Sequence, residues 1–206
     1  ILTVSAYPKK DRSLVPEGHE VAWEQFILSP GTPVSLTISD QPARIEENEE
    51  SILVRSEMSS VSFDRNTGIM TEFNILDENI LNEGMGFVPN FWRAPIDNDF
   101  GNNMHKRCAD WRYASKQRKL KEIRSEVDGE QVRVFVAYQL ENADQEHMAD
   151  FDIVYTFNGS GEILVENTFR RLKNDLSETP RVGLNLELTK DMEQISWYGR
   201  GPFESY

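Results

Sequence analysis

The run Arg93-Ala94-Pro95-Ile96-Asp97-Asn98-Asp99-Phe100-Gly101 holds the most suggestive chemistry in the chain. Asp97 and Asp99 stand two positions apart, with Phe91-Trp92 and Pro95 before them and Phe100 after. A carboxyl group held in an apolar, aromatic setting has its pKa raised by desolvation, which suits a general acid. Two carboxylates flanking a bond are the usual equipment for glycoside hydrolysis. With 35 acidic residues a pair can always be nominated, so the setting carries the argument and the count does not. In extended backbone Asp97 and Asp99 would share one face. The opposing reading is a tight Asx-rich turn, in which the carboxylates accept backbone N–H groups and hold Arg93. The residues by themselves favour that turn.

The same run begins like a calcium loop. It then departs from EF-hand spacing, because Gly101 stands at the fifth position and Cys108 where the bidentate Glu belongs. His105-x-x-Cys108 would place two metal ligands on one helical turn, but no second pair has zinc spacing. We therefore expect no metal site. Cys108 is the 1 cysteine, so no intrachain disulfide can form, and it reads as buried filler rather than a nucleophile. Trp23, Trp92, Trp111 and Trp197 could stack on a pyranose face, although a Trp is more often a core residue. The chain has no Gly-rich phosphate loop, GxSxG elbow or HExxH helix.

These residues must be positioned by strands. Ser60–Phe63 and Ile69–Phe73 flank the turn cluster Asp64–Gly68, a hairpin signal. Lys121–Val127 and Gln131–Leu140 flank Asp128-Gly129-Glu130, with Val132, Val134 and Val136 alternating with Arg133 and Phe135. Phe151–Phe157 and Glu162–Phe169 flank Asn158-Gly159-Ser160-Gly161. Val182, Leu184, Leu186 and Leu188 alternate with other residues as in a half-buried strand. Long antiparallel strands with Gly-rich turns point to a β-sandwich. One helix is expected around Asn103–Trp111, since Met104, Cys108 and Trp111 fall on one apolar face and Asn102 or Asn103 could cap it.

The net charge of −13 argues against nucleic acid or an anionic membrane surface as partner. No apolar stretch reaches the ~18 residues of a membrane span. Ile1–Ala6 lacks the basic start and long apolar run of a signal peptide and reads as the middle of a strand. We expect a piece of a longer, soluble protein, cytoplasmic or periplasmic. The acidic, apolar-poor run Ser39–Ser51 reads as a surface connection between two modules. The module before it is too short for a core of its own.

Three segments together resemble family 2 glycoside hydrolases, specifically the C-terminal third of bacterial β-galactosidases. Arg93–Gly101 looks like the family's R-A-P-x-D-N-D-x-G signature. Trp197-Tyr198-Gly199-Arg200-Gly201-Pro202-Phe203-Glu204-Ser205-Tyr206 is similar to W-x-G-x-G-P-x-E-x-Y. Gly18-His19-Glu20-Val21-Ala22-Trp23-Glu24-Gln25 matches G-H-x-x-A-W-x-Q.

The resemblance implies an all-β chain. Residues 1–40 would be the last strands of an immunoglobulin-like domain and 41–51 a linker. Residues 52–206 would be a galactose-mutarotase-like supersandwich, truncated at its C-terminus. It implies a retaining mechanism whose two glutamates sit in a barrel upstream, so no catalytic residue is expected here. It implies that Gly101, Asn102 and Asn103 form a mobile loop at the sugar site, on a scaffold of Arg93, Asp97, Asn98 and Asp99. The parent enzyme would act on galactosides as a homo-oligomer and use divalent and monovalent cations. This chain would carry no cofactor and would partner the catalytic barrel. Two competing readings are a stand-alone carbohydrate-binding module and a sugar mutarotase. The latter needs a His acid and a carboxylate base, and none of His19, His105 and His147 is expected in a strand beside an obvious Glu partner.

Overall fold

The computed structural model of the chain describes residues 1–29 and 35–197. The chain forms two compact units, Ile1–Ser35 and Leu36–Tyr206. In the first, β1 (Leu2–Ala6) and β2 (Ala22–Phe26) pair antiparallel from Leu2↔Phe26 to Ala6↔Ala22. Val4, Trp23 and Phe26 stay exposed on this ribbon, which has too few strands to bury them itself.

The second unit is built on two larger antiparallel sheets and one two-stranded sheet. One of the larger two runs β3-β4-β5-β6-β7, formed by Arg44–Glu47, Ser51–Arg55, Ser59–Asp64, Met70–Ile75 and Glu78–Asn79. After β8 (Val88–Asn90) come three short helices, α1 (Asp97–Gly101), α2 (Met104–Arg107) and α3 (Ala109–Lys116). The other sheet follows in the order β12-β11-β10-β9, formed by β9 (Arg118–Asp128), β10 (Gln131–Glu141), β11 (His147–Phe157) and β12 (Ile163–Arg171). The class is all-β, as expected.

Strand alternation explains the core. Val132, Val134, Val136, Tyr138 and Leu140 all point inward from β10, and Phe151, Ile153, Tyr155 and Phe157 do so from β11. Ile52, Val54, Val61, Phe63 and Met70 from the first sheet join them in one cluster. Phe63 meets Tyr155 with ring centroids 5.0 Å apart. The turn of the β5–β6 hairpin also reaches the second sheet: the Tyr138 hydroxyl donates to the Thr67 carbonyl at 3.0 Å. Burial pushes the Tyr138 phenol up to about 12, so it stays a donor at neutral pH. The three hairpins expected from sequence are all present.

Three expectations are corrected. The run Val182–Leu188 is not one half-buried strand. β13 covers only Gly183–Asn185, paired with β8, and Leu188 makes an isolated bridge to Leu81. Leu184 and Leu188 pack on the core, while Val182 and Leu186 are exposed. The partner strand β8 is three residues long and contains Pro89, so it cannot extend the ladder. The acidic run Ser39–Ser51 is not all connection: Arg44–Glu47 form edge strand β3, and Ala43 is buried. Charged residues are common on edge strands because they discourage further pairing. The single helix expected over Asn103–Trp111 is three helices spanning Asp97–Lys116. The apolar face holds, since Met104, Cys108 and Trp111 are buried. The helix axis breaks at Asn103, which has a left-handed φ of 61°.

Candidate functional site: the Arg93–Asn103 segment

The segment leaves the core at Phe91, a fully buried ring. It lies 5.2 Å from Phe169, 5.4 Å from Phe151 and 6.0 Å from Trp111 between centroids. The Phe91 N–H donates to Ser115 Oγ at 2.8 Å, and Ser115 Oγ donates to the Trp111 carbonyl at 3.0 Å. The base of the segment is thus fixed to β11, β12 and α3 together.

Arg93 and Asp99 form a two-pronged pair. Nη1 meets Oδ2 at 2.5 Å and Nη2 meets Oδ1 at 2.9 Å. Oδ2 also accepts the Ile96 N–H at 2.9 Å, which satisfies a free donor at the start of α1. The Arg93 hydrogen bonds, then the Ile96 N–H, hold the Asp99 carboxyl below the usual carboxylate range. Asp99 is therefore held as a carboxylate rather than poised to donate a proton, as the turn favoured by the residues requires.

Asp97 and Asp99 do not share a face. They lie on α1, where two residues place side chains about 200° apart. Asp97 is exposed and Asp99 is buried. The turn reading of the residues was the better one, in helical form. Asn98 accepts the Asn102 N–H on its carbonyl at 3.1 Å.

Gly101, the last residue of α1, and Asn102 and Asn103, which join it to α2, form an exposed tip. A Cβ at Gly101 would meet nothing within 4 Å, so packing within this chain does not require glycine there. Asn102 Oδ1 accepts the Met104 N–H at 2.9 Å in an Asx turn across Asn103, the N-cap of α2, which makes no side-chain capping bond itself. The Asn102 carbonyl accepts from Arg107 Nη1 at 2.5 Å. Arg107 also pairs, through Nε at 3.1 Å and through Nη2, with Glu178 Oε1. Sequence reasoning missed this pair, because its members stand 71 residues apart and lie in no motif.

Cys108 is buried, and desolvation pushes its thiol up, so it is packing. The His105 ring lies 5.0 Å from the Phe100 ring. Among the described residues no three of His, Cys, Asp and Glu gather to hold a metal. The cations implied for the parent enzyme find no ligand set among those residues. Trp111 is a core residue and Trp92 is half-buried against the core. Trp197 is 67% exposed, and the rest of its motif, 198–206, lies outside the described residues. His147 opens β11, and its Nε2 lies 2.8 Å from Asp150 Oδ1, an Asp and not a Glu.

The fold and the segment define an all-β protein that presents an exposed loop on a short helical insert between two sheets. Residues 55–206 match the family model described as "Beta galactosidase small chain", and the chain belongs to that family. It is 31% identical over 207 residues to a β-galactosidase of Priestia megaterium, covering 100% of this chain and 19% of that protein. It is 24% identical to one of Clostridium acetobutylicum, covering 100% of this chain and 22% of that protein. Over 116 residues it is 37% identical to one of Lactobacillus delbrueckii subsp. bulgaricus, covering 56% of this chain and 11% of that protein. The chain spans about a fifth of the length of the first two of these relatives.

Proposed function

We propose that this chain is a non-catalytic C-terminal portion of a β-galactosidase and that its Gly101–Asn103 loop completes the galactoside site of the whole enzyme. The observation that carries the proposal is the loop's construction. An exposed three-residue tip with glycine at its head is mounted on two Arg–carboxylate pairs and a buried aromatic base. Such a tip can change position while its mounting stays fixed, as a loop closing over substrate must.

In this reading the bond is broken elsewhere. A nucleophilic Glu and an acid/base Glu of a barrel in the same chain would form and hydrolyse a covalent glycosyl intermediate. The residues here orient and enclose. Arg93 and Asp99 hold α1, and the loop excludes water from the bound sugar. Leu36 onward would be the supersandwich and the β1–β2 ribbon the end of an immunoglobulin-like domain. The whole enzyme would be a soluble homo-oligomer.

The test is galactoside hydrolysis by the native full-length protein. A chromogenic galactoside should be cleaved, and Gly101→Pro, which removes the freedom of the tip, should lower kcat/KM by about tenfold or more. A native protein that lacks a barrel with two glutamates and cleaves no galactoside would overturn the reading.

A further inference from the structure

Resting on the reading of the Gly101–Asn103 loop given above, we infer that Arg107 and Glu178 act as a positioning pair that sets where this loop stands over the sugar site. The two sides of the Arg107 guanidinium do different work. Nη1 donates to the Asn102 carbonyl, at 2.5 Å, and so grips the loop backbone. Nε and Nη2 grip the Glu178 carboxylate on the segment after β12. A planar fork makes both contacts at once from separate nitrogens, whereas a lysine would have to share one ammonium nitrogen between them.

Glu178 is itself anchored. Trp111 Nε1 donates to the Ser177 carbonyl at 3.2 Å, and Arg171 Nη2 donates to the Leu176 carbonyl at 2.5 Å. Trp111 is fully buried. A continuous path therefore runs from the core tryptophan through Ser177 and Glu178 to Arg107 and the Asn102 carbonyl. The other end of the loop is held separately by Arg93 and Asp99. Without Arg107 the loop keeps that first anchor and loses the second.

The pair is half-exposed, with Arg107 at 42% and Glu178 at 59%. An exposed pair contributes little to global stability. Its consequence falls on the loop, whose Asn102 carbonyl accepts from Arg107 Nη1. This separates a positioning role from a structural one.

The experiment uses the native full-length enzyme and a chromogenic galactoside. Arg107→Gln and Glu178→Gln should each change kcat/KM by about two- to fivefold, the range of an exposed charge pair. The double variant should do no more than either single one. KM and kcat should move unequally, while the midpoint of thermal unfolding stays at the parent value. Arg107→Lys should behave like Arg107→Gln, because it lacks the fork. Arg112→Gln, an exposed Arg on α3, is the control and should leave both constants unchanged. Additive effects, or wild-type constants in both single variants while Gly101→Pro is impaired, would overturn the inference alone. Wild-type constants in Gly101→Pro as well would overturn the loop reading and this inference with it.

Discussion

Asp99 and Glu178 are carboxylates whose partners keep them ionised. Asp99 is held below its ordinary 3.8, first by Arg93 and then by the Ile96 N–H. Glu178 is brought from 4.5 to about 2, chiefly by Arg107. A depressed folded pKa means that the stabilising contribution is complete above the unfolded value and fades as pH falls through the folded one. The Arg107–Glu178 link should therefore be intact above about pH 4.5 and lost towards about pH 2. Side-chain resonances of Arg107, followed by NMR through that window, should shift, and Glu178→Gln should abolish the shift. At the other end of the loop, Asp99→Ala frees the Ile96 N–H. Amide exchange at Ile96 should accelerate there and stay at the parent rate in Asp97→Ala, whose side chain is exposed.

The hairpins show which turns are conformational and which are steric. Gly129 has φ +63° with nothing within 4 Å of a Cβ. Gly129→Ala should therefore cost only the left-handed backbone penalty, about 1–2 kcal/mol. At Gly159 a Cβ would lie 1.7 Å from the Gln41 carbonyl oxygen. Backbone cannot swing aside as a side chain can, so Gly159→Ala should cost about 3 kcal/mol or more. Urea unfolding of the two variants checks the order, and a larger loss at Gly129 would contradict it. Both glycines are equally prominent in the sequence, each in a turn between apolar strands. Gln41 stands 118 residues from Gly159, and nothing local announces their contact.

Among the described residues the core lies in Leu36–Tyr206, and the β1–β2 ribbon of Ile1–Ser35 leaves Val4, Trp23 and Phe26 exposed. Trp111→Ala removes the largest fully buried side chain and should cost about 3–5 kcal/mol, read as a lowered unfolding midpoint. A two-stranded ribbon is marginal by itself in water. Limited proteolysis of this 206-residue chain should thus cut within residues 1–35 before it cuts the sheets, with mass spectrometry locating the first sites. What the sequence alone determined was local and repetitive. Val132, Val134 and Val136 mark a half-buried strand because side chains alternate at a period of two. The Gly-rich turns mark the hairpins, and the Arg93–Gly101 motif marks the family. The tertiary structure decided what depends on distant partners. It made Arg44–Glu47 a strand by pairing it with β4, and cut Val182–Leu188 short against β8. It turned Asp97 outward and Asp99 onto Arg93, and it brought Glu178 to Arg107. A pleat is set by neighbours in the chain, whereas the protonation and pairing of a carboxylate are set by neighbours in space.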